Sequence, residues 1–314
     1  MWKITVILLS CLSVAWCRPA EDTVHGNFST KPISEEDYAW LIRHAATHRV
    51  STYPSGFKIM YVGHDGRIVE NHKPSTGAWI QVVGSPLTPH SALYTAALEV
   101  GKMLRHSPSH IFSNIANHAG SGLGLFTRSE KITVFPEFYH LKDTAACHGR
   151  CDGDCKHTCT FDGRKYEALG GLTGTKSLVL MDNVMCTSHD PHHKIDNILV
   201  HEFAHSINRN GFSSSEKSEL TAAFNHAKAS HLWTSGSYAM ANQAEYFAEA
   251  SGSFFRVELQ SSAGGMNDCG GHRCRTEADV RHRIQSQDPN LFSLLSHVYT
   301  SDHPTTPSGI TICP

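Results

Sequence analysis

The chain has 314 residues, with 27 Lys+Arg against 29 Asp+Glu and a formal charge of −2. Balanced charge excludes the broad basic face that phosphate neutralisation needs, so no nucleic-acid partner is expected. A composition 40% hydrophobic and 18% charged excludes a disordered tail or a coiled coil, and 23 His and 10 Cys stand out.

Met1 to Lys3 form a short positive head, and residues 4–14 are apolar but too short to span a bilayer. Ala15 and Cys17 occupy the small-residue positions of a cleavage site before Arg18, so residues 1–17 read as a secretory signal peptide and the protein as secreted and extracellular. No other stretch is apolar enough for a membrane span. Cleavage leaves Cys147, Cys151, Cys155, Cys159, Cys186, Cys269, Cys274 and Cys313, an even set that predicts up to four disulfides. Asn27-Phe28-Ser29 is a glycosylation sequon. Protonation of all the histidines would carry the charge to about +20, so the surface charge would swing with acidity.

Residues 34–48 predict a helix capped by Ser34. Residues 58–62 and 78–83 predict strands, and 89–106 and 109–118 helices, the first with Leu93, Ala96, Ala97, Val100 and Leu104 on one stripe. The glycine-rich run Gly120 to Gly124 follows no strand of a βαβ unit and gives little support to nucleotide binding. Residues 131–138 predict a strand. The four cysteines from 147 to 159 recur every fourth position, unlike paired zinc knuckles, and favour a disulfide-stapled excursion over a metal site. Cys269 and Cys274 predict a small looped bridge, and Cys313 an anchor for the C-terminal tail. Residues 177–181 predict a short buried strand. Helices follow at 191–208 (Asp190 as cap, Pro191 in the first turn), 218–233, 242–258 and 276–299, the last broken near Asp288-Pro289.

Chemistry concentrates at His201-Glu202-Phe203-Ala204-His205, an H-E-x-x-H on a predicted helix. His205 falls about 40° round the helix from His201 and Glu202 about 100°, while Leu199, Val200, Phe203, Ala204 and Ile207 take the opposite face. Two imidazoles at i and i+4 can share one tetrahedral zinc ion, and the adjacent carboxylate can reach a water on it. A third ligand is needed. The pattern H-E-x-x-H-x-x-G-x-x-H fails, because Asn208 and Gly211 stand where its Gly and His would be. Downstream, Glu245 and Glu249 share one helical face. Glu245 also reads as the third helical residue of a capping box begun by Asn242, and Glu249 as a surface carboxylate.

H-E-F-x-H, followed some 40 residues on by Tyr238 and, seven positions later, Glu245 within Asn242-Gln243-Ala244-Glu245-Tyr246-Phe247-Ala248-Glu249-Ala250, resembles the catalytic domain of the anthrax lethal factor family, which secreted Pro-Pro endopeptidases share. The resemblance is close over residues 177–260 and fainter to residue 300. It is not evident over residues 18–170, and a Cys-rich insertion at 143–165 departs from the family pattern. It implies an α+β fold, a zincin-like metallopeptidase domain of the gluzincin type spanning 18–314, with a short twisted sheet beside the active helix and a mostly helical C-terminal half. It implies one catalytic Zn2+ held by His201, His205 and Glu245, Glu202 as general base, Tyr238 as the hydroxyl that stabilises the oxyanion, and Glu249 as the carboxylate that orients a ligand histidine. The expected partner is a protein or peptide substrate outside the cell. The alternative is a secreted, His-rich metal-binding or toxin-like module without turnover, drawing on His148, His157, His189, His192 and His193.

Overall fold

The computed structural model describes residues 34–45, 52–160 and 163–313; the expected signal peptide and the Asn27 sequon lie outside them. Helix α1 (Glu35–Ala45) starts as expected at Ser34, whose Oγ accepts from Asp37 N (3.1 Å) while Asp37 Oδ2 accepts from Ser34 N (3.2 Å). Strands β2 (Ile68–Glu70) and β3 (Trp79–Gly84) pair antiparallel on either side of β1 (Lys58–Gly63), with Lys58 opposite Gly84 and Gly63 opposite Trp79. Helices α2 (His90–Leu104) and α3 (Ser109–Asn117) then cross back to β4 (Leu123–Phe126), which runs parallel to β3. β5 (Gly171–Thr173) and β6 (Ser177–Leu180) complete a six-stranded sheet of order β2-β1-β3-β4-β6-β5, with β6 parallel to β4 and β5 an antiparallel edge.

The three central strands are buried on both faces, as parallel strands between layers are. Their alternate side chains divide two cores. Val82, Leu123, Leu125 and Val179 face one core with the α2 stripe and α3, whereas Val83, Phe126, Leu178 and Leu180 face the other with Leu41 of α1. Gly122, at φ +124°, turns the chain into β4; a Cβ there would lie 2.2 Å from the Gln81 carbonyl. The glycine-rich run therefore has a structural role.

Residues 131–138 are not a strand. They form two 3-10 helices, Ile132–Val134 and Pro136–Leu141, for which Pro136 supplies a fixed φ and no amide donor. Ile132, Phe135, Phe138 and Leu141 recur every third residue and are all buried in the second core, which is the period of a 3-10 turn. Among the described residues four disulfides form: Cys147–Cys155 and Cys151–Cys159 within the Cys-rich stretch, Cys186–Cys313 anchoring the tail, and Cys269–Cys274 closing a small loop. All four cysteines from 147 to 159 are thereby consumed.

After β6, a short helix α4 (Met181–Val184) precedes α5 (Ile198–Ser206). The expected start at Pro191 is wrong. Asp190 caps a turn, accepting from His192 N and Lys194 N (3.0 and 2.7 Å), and His193 and Lys194 take positive φ, so no helix propagates until Asn197. The C-terminal half is helical as expected: α6 (Ser214–Ala229), α7 (Gln243–Phe254), α8 (Glu277–Gln287) and α9 (Pro289–Thr300), with Asp288 capping α9 at the expected break. The fold is mixed α+β. No helix among the described residues is long and apolar enough to cross a membrane.

Candidate active site

α5 lies against the β5 edge of the sheet, and its register is set by polar pins. Asn197 caps it, its side chain accepting from Val200 N at 3.0 Å. Ser177 Oγ of β6 donates to the Glu202 carbonyl at 2.7 Å, and Thr173 Oγ1 of β5 donates to Glu202 Oε2 at 2.6 Å. Close approach requires Gly171, where a Cβ would fall 2.8 Å from both Glu202 Oε1 and Ile198 Cγ2. Phe203, Ala204 and Ile207 enter the core as the helical phase requires. A five-residue π-helix, Ile207–Gly211, then ends the element.

α7 crosses α5 and brings a pair of acids, Glu245 and Glu249. Asn242 caps α7, accepting from Ala244 N and Glu245 N at 2.9 and 3.0 Å, but Glu245 does not close the box back to Asn242. Its carboxylate turns to the histidines instead. Glu245 Oε2 lies 3.2 Å from His201 Nε2 and 3.3 Å from His205 Nε2, and the two Nε2 atoms are 3.2 Å apart. On the far side of the ring, His201 Nδ1 meets Glu249 Oε1 at 3.2 Å. A one-turn 3-10 helix, Tyr238–Met240, stacks the Tyr238 ring on His201 at 5.9 Å between centroids and 16° between planes. All six residues expected from sequence therefore converge at one place.

The electrostatics follow from burial and sign. Burial works to raise Glu245, but the His205 and His201 rings outweigh it and hold this carboxyl well below the usual range. Burial works against a charged His201, yet Glu245 and Glu249 outweigh it and push the ring well above an ordinary histidine. Glu202 is raised by burial despite His205, His201 and the Thr173 hydroxyl. Glu249 is raised by burial over the opposing pull of His201, and Tyr238 is pushed well up by burial and then by Glu245. Behind His201, burial together with the carboxylates of Asp196 and Glu249 pushes Glu258 well up, and His192 Nδ1 lies 3.5 Å from Asp196 Oδ2.

Those outer acids, Thr173 and Gly171 are the residues that sequence reasoning missed. For the strand, the signal was the Gly170-Gly171 doublet before Leu172-Thr173-Gly174, small residues that let an edge strand touch a helix.

The donor set fits a tetrahedral cation. Glu245 Oε2 is buried without a well-formed hydrogen bond, facing two imidazole nitrogens. Zinc–nitrogen and zinc–oxygen bonds of about 2.05 Å in tetrahedral geometry separate ligand atoms by about 3.3 Å, the edge of this triangle.

The family match to the anthrax toxin lethal factor, N- and C-terminal domain, runs over residues 69–260, which is more than half of the chain. The chain belongs to the anthrax toxin lethal factor family. The match begins far upstream of residue 177, so the family pattern takes in most of the sheet as well as the helical motifs. Membership of the lethal factor family supports a metallopeptidase in its general form. Among solved structures, a Pro-Pro endopeptidase from Paenibacillus alvei is similar, with 18% identity, a TM-score of 0.43, and coverage of 68% of this chain and 95% of that one. No curated protein matches the sequence.

Proposed function

We propose that this chain is a secreted zinc endopeptidase of the gluzincin type, acting on extracellular proteins or peptides, with residues 18–314 as one catalytic domain. The observation that carries the reading is the triangle of His201 Nε2, His205 Nε2 and Glu245 Oε2, with Glu202 beside it, in a member of the lethal factor family. Zinc held by these three side chains would supply the positive charge that acidifies water and polarises a peptide carbonyl.

The chain's own residues supply the rest. Glu202, raised by burial, is poised to take the proton of the attacking water and to return it to the leaving amine. The Thr173 hydroxyl fixes one of its oxygens. Tyr238, pushed up, keeps its hydroxyl proton at neutral pH and so serves as a donor to the carbonyl oxygen as that oxygen gains charge. Glu249 accepts from His201 Nδ1, which selects the tautomer whose Nε2 lone pair is turned to Glu245. Four disulfides support an oxidising destination. A carrier without turnover needs neither Glu202 nor Tyr238. Among the described residues, none of His148, His157, His189, His192 and His193 comes together with two further His, Cys, Asp or Glu ligand atoms within 4.8 Å.

The test is digestion of a complex extracellular proteome by the purified protein, with new N-termini read by mass spectrometry. Termini abolished by a chelator and restored by zinc are expected. An unchanged set of termini from a zinc-loaded protein would overturn the reading.

A further inference from the structure

Three residues far apart in sequence meet on the side of the molecule where α3, α6 and α9 converge. Glu216 sits in the first turn of α6, and its Oε2 accepts from Ser213 N at 2.6 Å, completing a capping box. The cap uses one oxygen. The other, Oε1, lies 2.8 Å from His110 Nε2 on α3 and 3.4 Å from His297 Nε2 on α9. Glu216 is buried, with 4% of its side chain exposed, while the two imidazoles are 47% and 36% exposed. A buried carboxylate thus faces two half-exposed rings that solvent can reach.

His297 raises a difficulty of donor count. Its Nδ1 meets Asp302 Oδ2 at 3.2 Å and its Nε2 meets Glu216 Oε1, so both ring nitrogens face a carboxylate. A neutral imidazole has one N–H, which leaves one lone pair turned against an anion. A cation between Nε2 and Oε1 removes the conflict. Asp302 then accepts from Nδ1–H and fixes the tautomer, while Nε2, His110 Nε2 and Glu216 Oε1 are free to ligate. His201 has the same arrangement, with Glu249 on Nδ1 and Glu245 opposite Nε2. The three candidate ligand atoms lie within 4.8 Å of one another. The 3.4 Å edge already matches a tetrahedral site, and the 2.8 Å edge opens to about 3.3 Å by a small swing of the half-exposed His110 ring.

We propose that His110, Glu216 and His297 form a second zinc site, distinct from the candidate active site, that clamps α3, α6 and α9 together with water completing the coordination. Two imidazoles and one carboxylate suit zinc among the available divalent ions. The clamp braces the back of the candidate active site, because Asn114 Nδ2 of α3 donates to the Gly211 carbonyl at 2.9 Å, at the end of the π-turn that prolongs α5.

The experiment strips the full chain with a chelator, equilibrates it in zinc buffers, and counts zinc per chain by elemental mass spectrometry. The wild type is expected to bind two ions. His201→Ala with His205→Ala should retain one, and excess zinc should still raise its Tm. Adding His297→Gln to that double variant should abolish both the ion and the Tm shift. Asp302→Asn, at an exposed position, should weaken the second site roughly 10- to 100-fold while leaving the ligands in place. Loss of all zinc from the His201→Ala, His205→Ala variant would overturn the proposal. Retention of both ions by a His110→Gln, His297→Gln variant would also overturn it.

Discussion

Gly171→Ala adds one methyl group and removes no functional group, yet it should disable the proposed base. The new Cβ would lie 2.8 Å from Glu202 Oε1 and 2.8 Å from Ile198 Cγ2, against an ordinary contact of about 3.4 Å, so about 0.6 Å must be made up. β5 cannot easily retreat. Gly171 pairs with Val179 of β6, and two residues on, Thr173 is hydrogen-bonded to Glu202. Ile198 sits in the first turn of α5, so the softest response is rotation of the Glu202 carboxylate away from the strand. Overpacking of this kind costs about 1–3 kcal/mol of stability, a few degrees in Tm. Displacement of a general base by a sizeable fraction of an ångström lowers the rate by about 10- to 100-fold. The assay is kcat on the peptide cleaved best in the proteome digest, with Tm and zinc content measured on the same preparation. Unchanged zinc, slightly lowered Tm and a strongly lowered kcat are expected. Wild-type kcat and Tm would refute the claim that the contact between β5 and α5 holds Glu202 in place.

Glu245→Ala should weaken zinc retention more than Glu249→Ala, because the former removes a proposed ligand and the latter only a carboxylate on His201 Nδ1; competition with a chromogenic chelator gives the ranking, and the reverse order would reassign the third ligand. Cys186–Cys313 spans 127 residues, so its loss should cost about 5 kcal/mol by loop entropy, against about 2 kcal/mol for Cys269–Cys274 with a span of 5; denaturant unfolding of the paired Ser variants checks this, and equal losses would contradict it. Lys176 is fully buried, its Nζ donating to the Ser121 carbonyl at 3.1 Å, and burial lowers it from 10.5 to about 8. The unfolded chain keeps that proton between about pH 8 and 10.5 while the folded chain has lost it, so the stability of wild type relative to Lys176→Met should rise by about 3 kcal/mol across that window. Parallel stability curves would contradict this.

The H-E-x-x-H motif was legible because it is local. The i and i+4 spacing that turns His201 and His205 to one side also sends Phe203, Ala204 and Ile207 into the core, and both halves of that pattern are in the sequence. Glu245 was legible only through family resemblance. Its local context fits a capping box equally well, and only the crossing of α7 over α5 turns the carboxylate to the histidines. The helix placed at 191–208 failed because an Asp before a Pro suits a capped turn as well as a helix start, and the positive φ of His193 and Lys194 leaves no mark in residue type. The strand placed at 131–138 failed for a different reason. Ile132, Thr133 and Val134 suit a strand locally, but the spacing of three from Ile132 to Leu141 is the period of the 3-10 turns that form. The Cys186–Cys313 pairing, the Thr173 contact and the meeting of His110, Glu216 and His297 join residues separated by tens to hundreds of positions. Local patterning carries no record of them.

In the proposed mechanism Glu202 acts beside a zinc ion that it does not hold. The most direct measurement is zinc per chain and hydrolysis of one cleaved peptide, made side by side on wild type and Glu202→Gln. Equal zinc in both proteins and a loss of rate of about 10²- to 10⁴-fold in the variant is the predicted result. A zinc-loaded Glu202→Gln protein that cleaves as fast as wild type would contradict it.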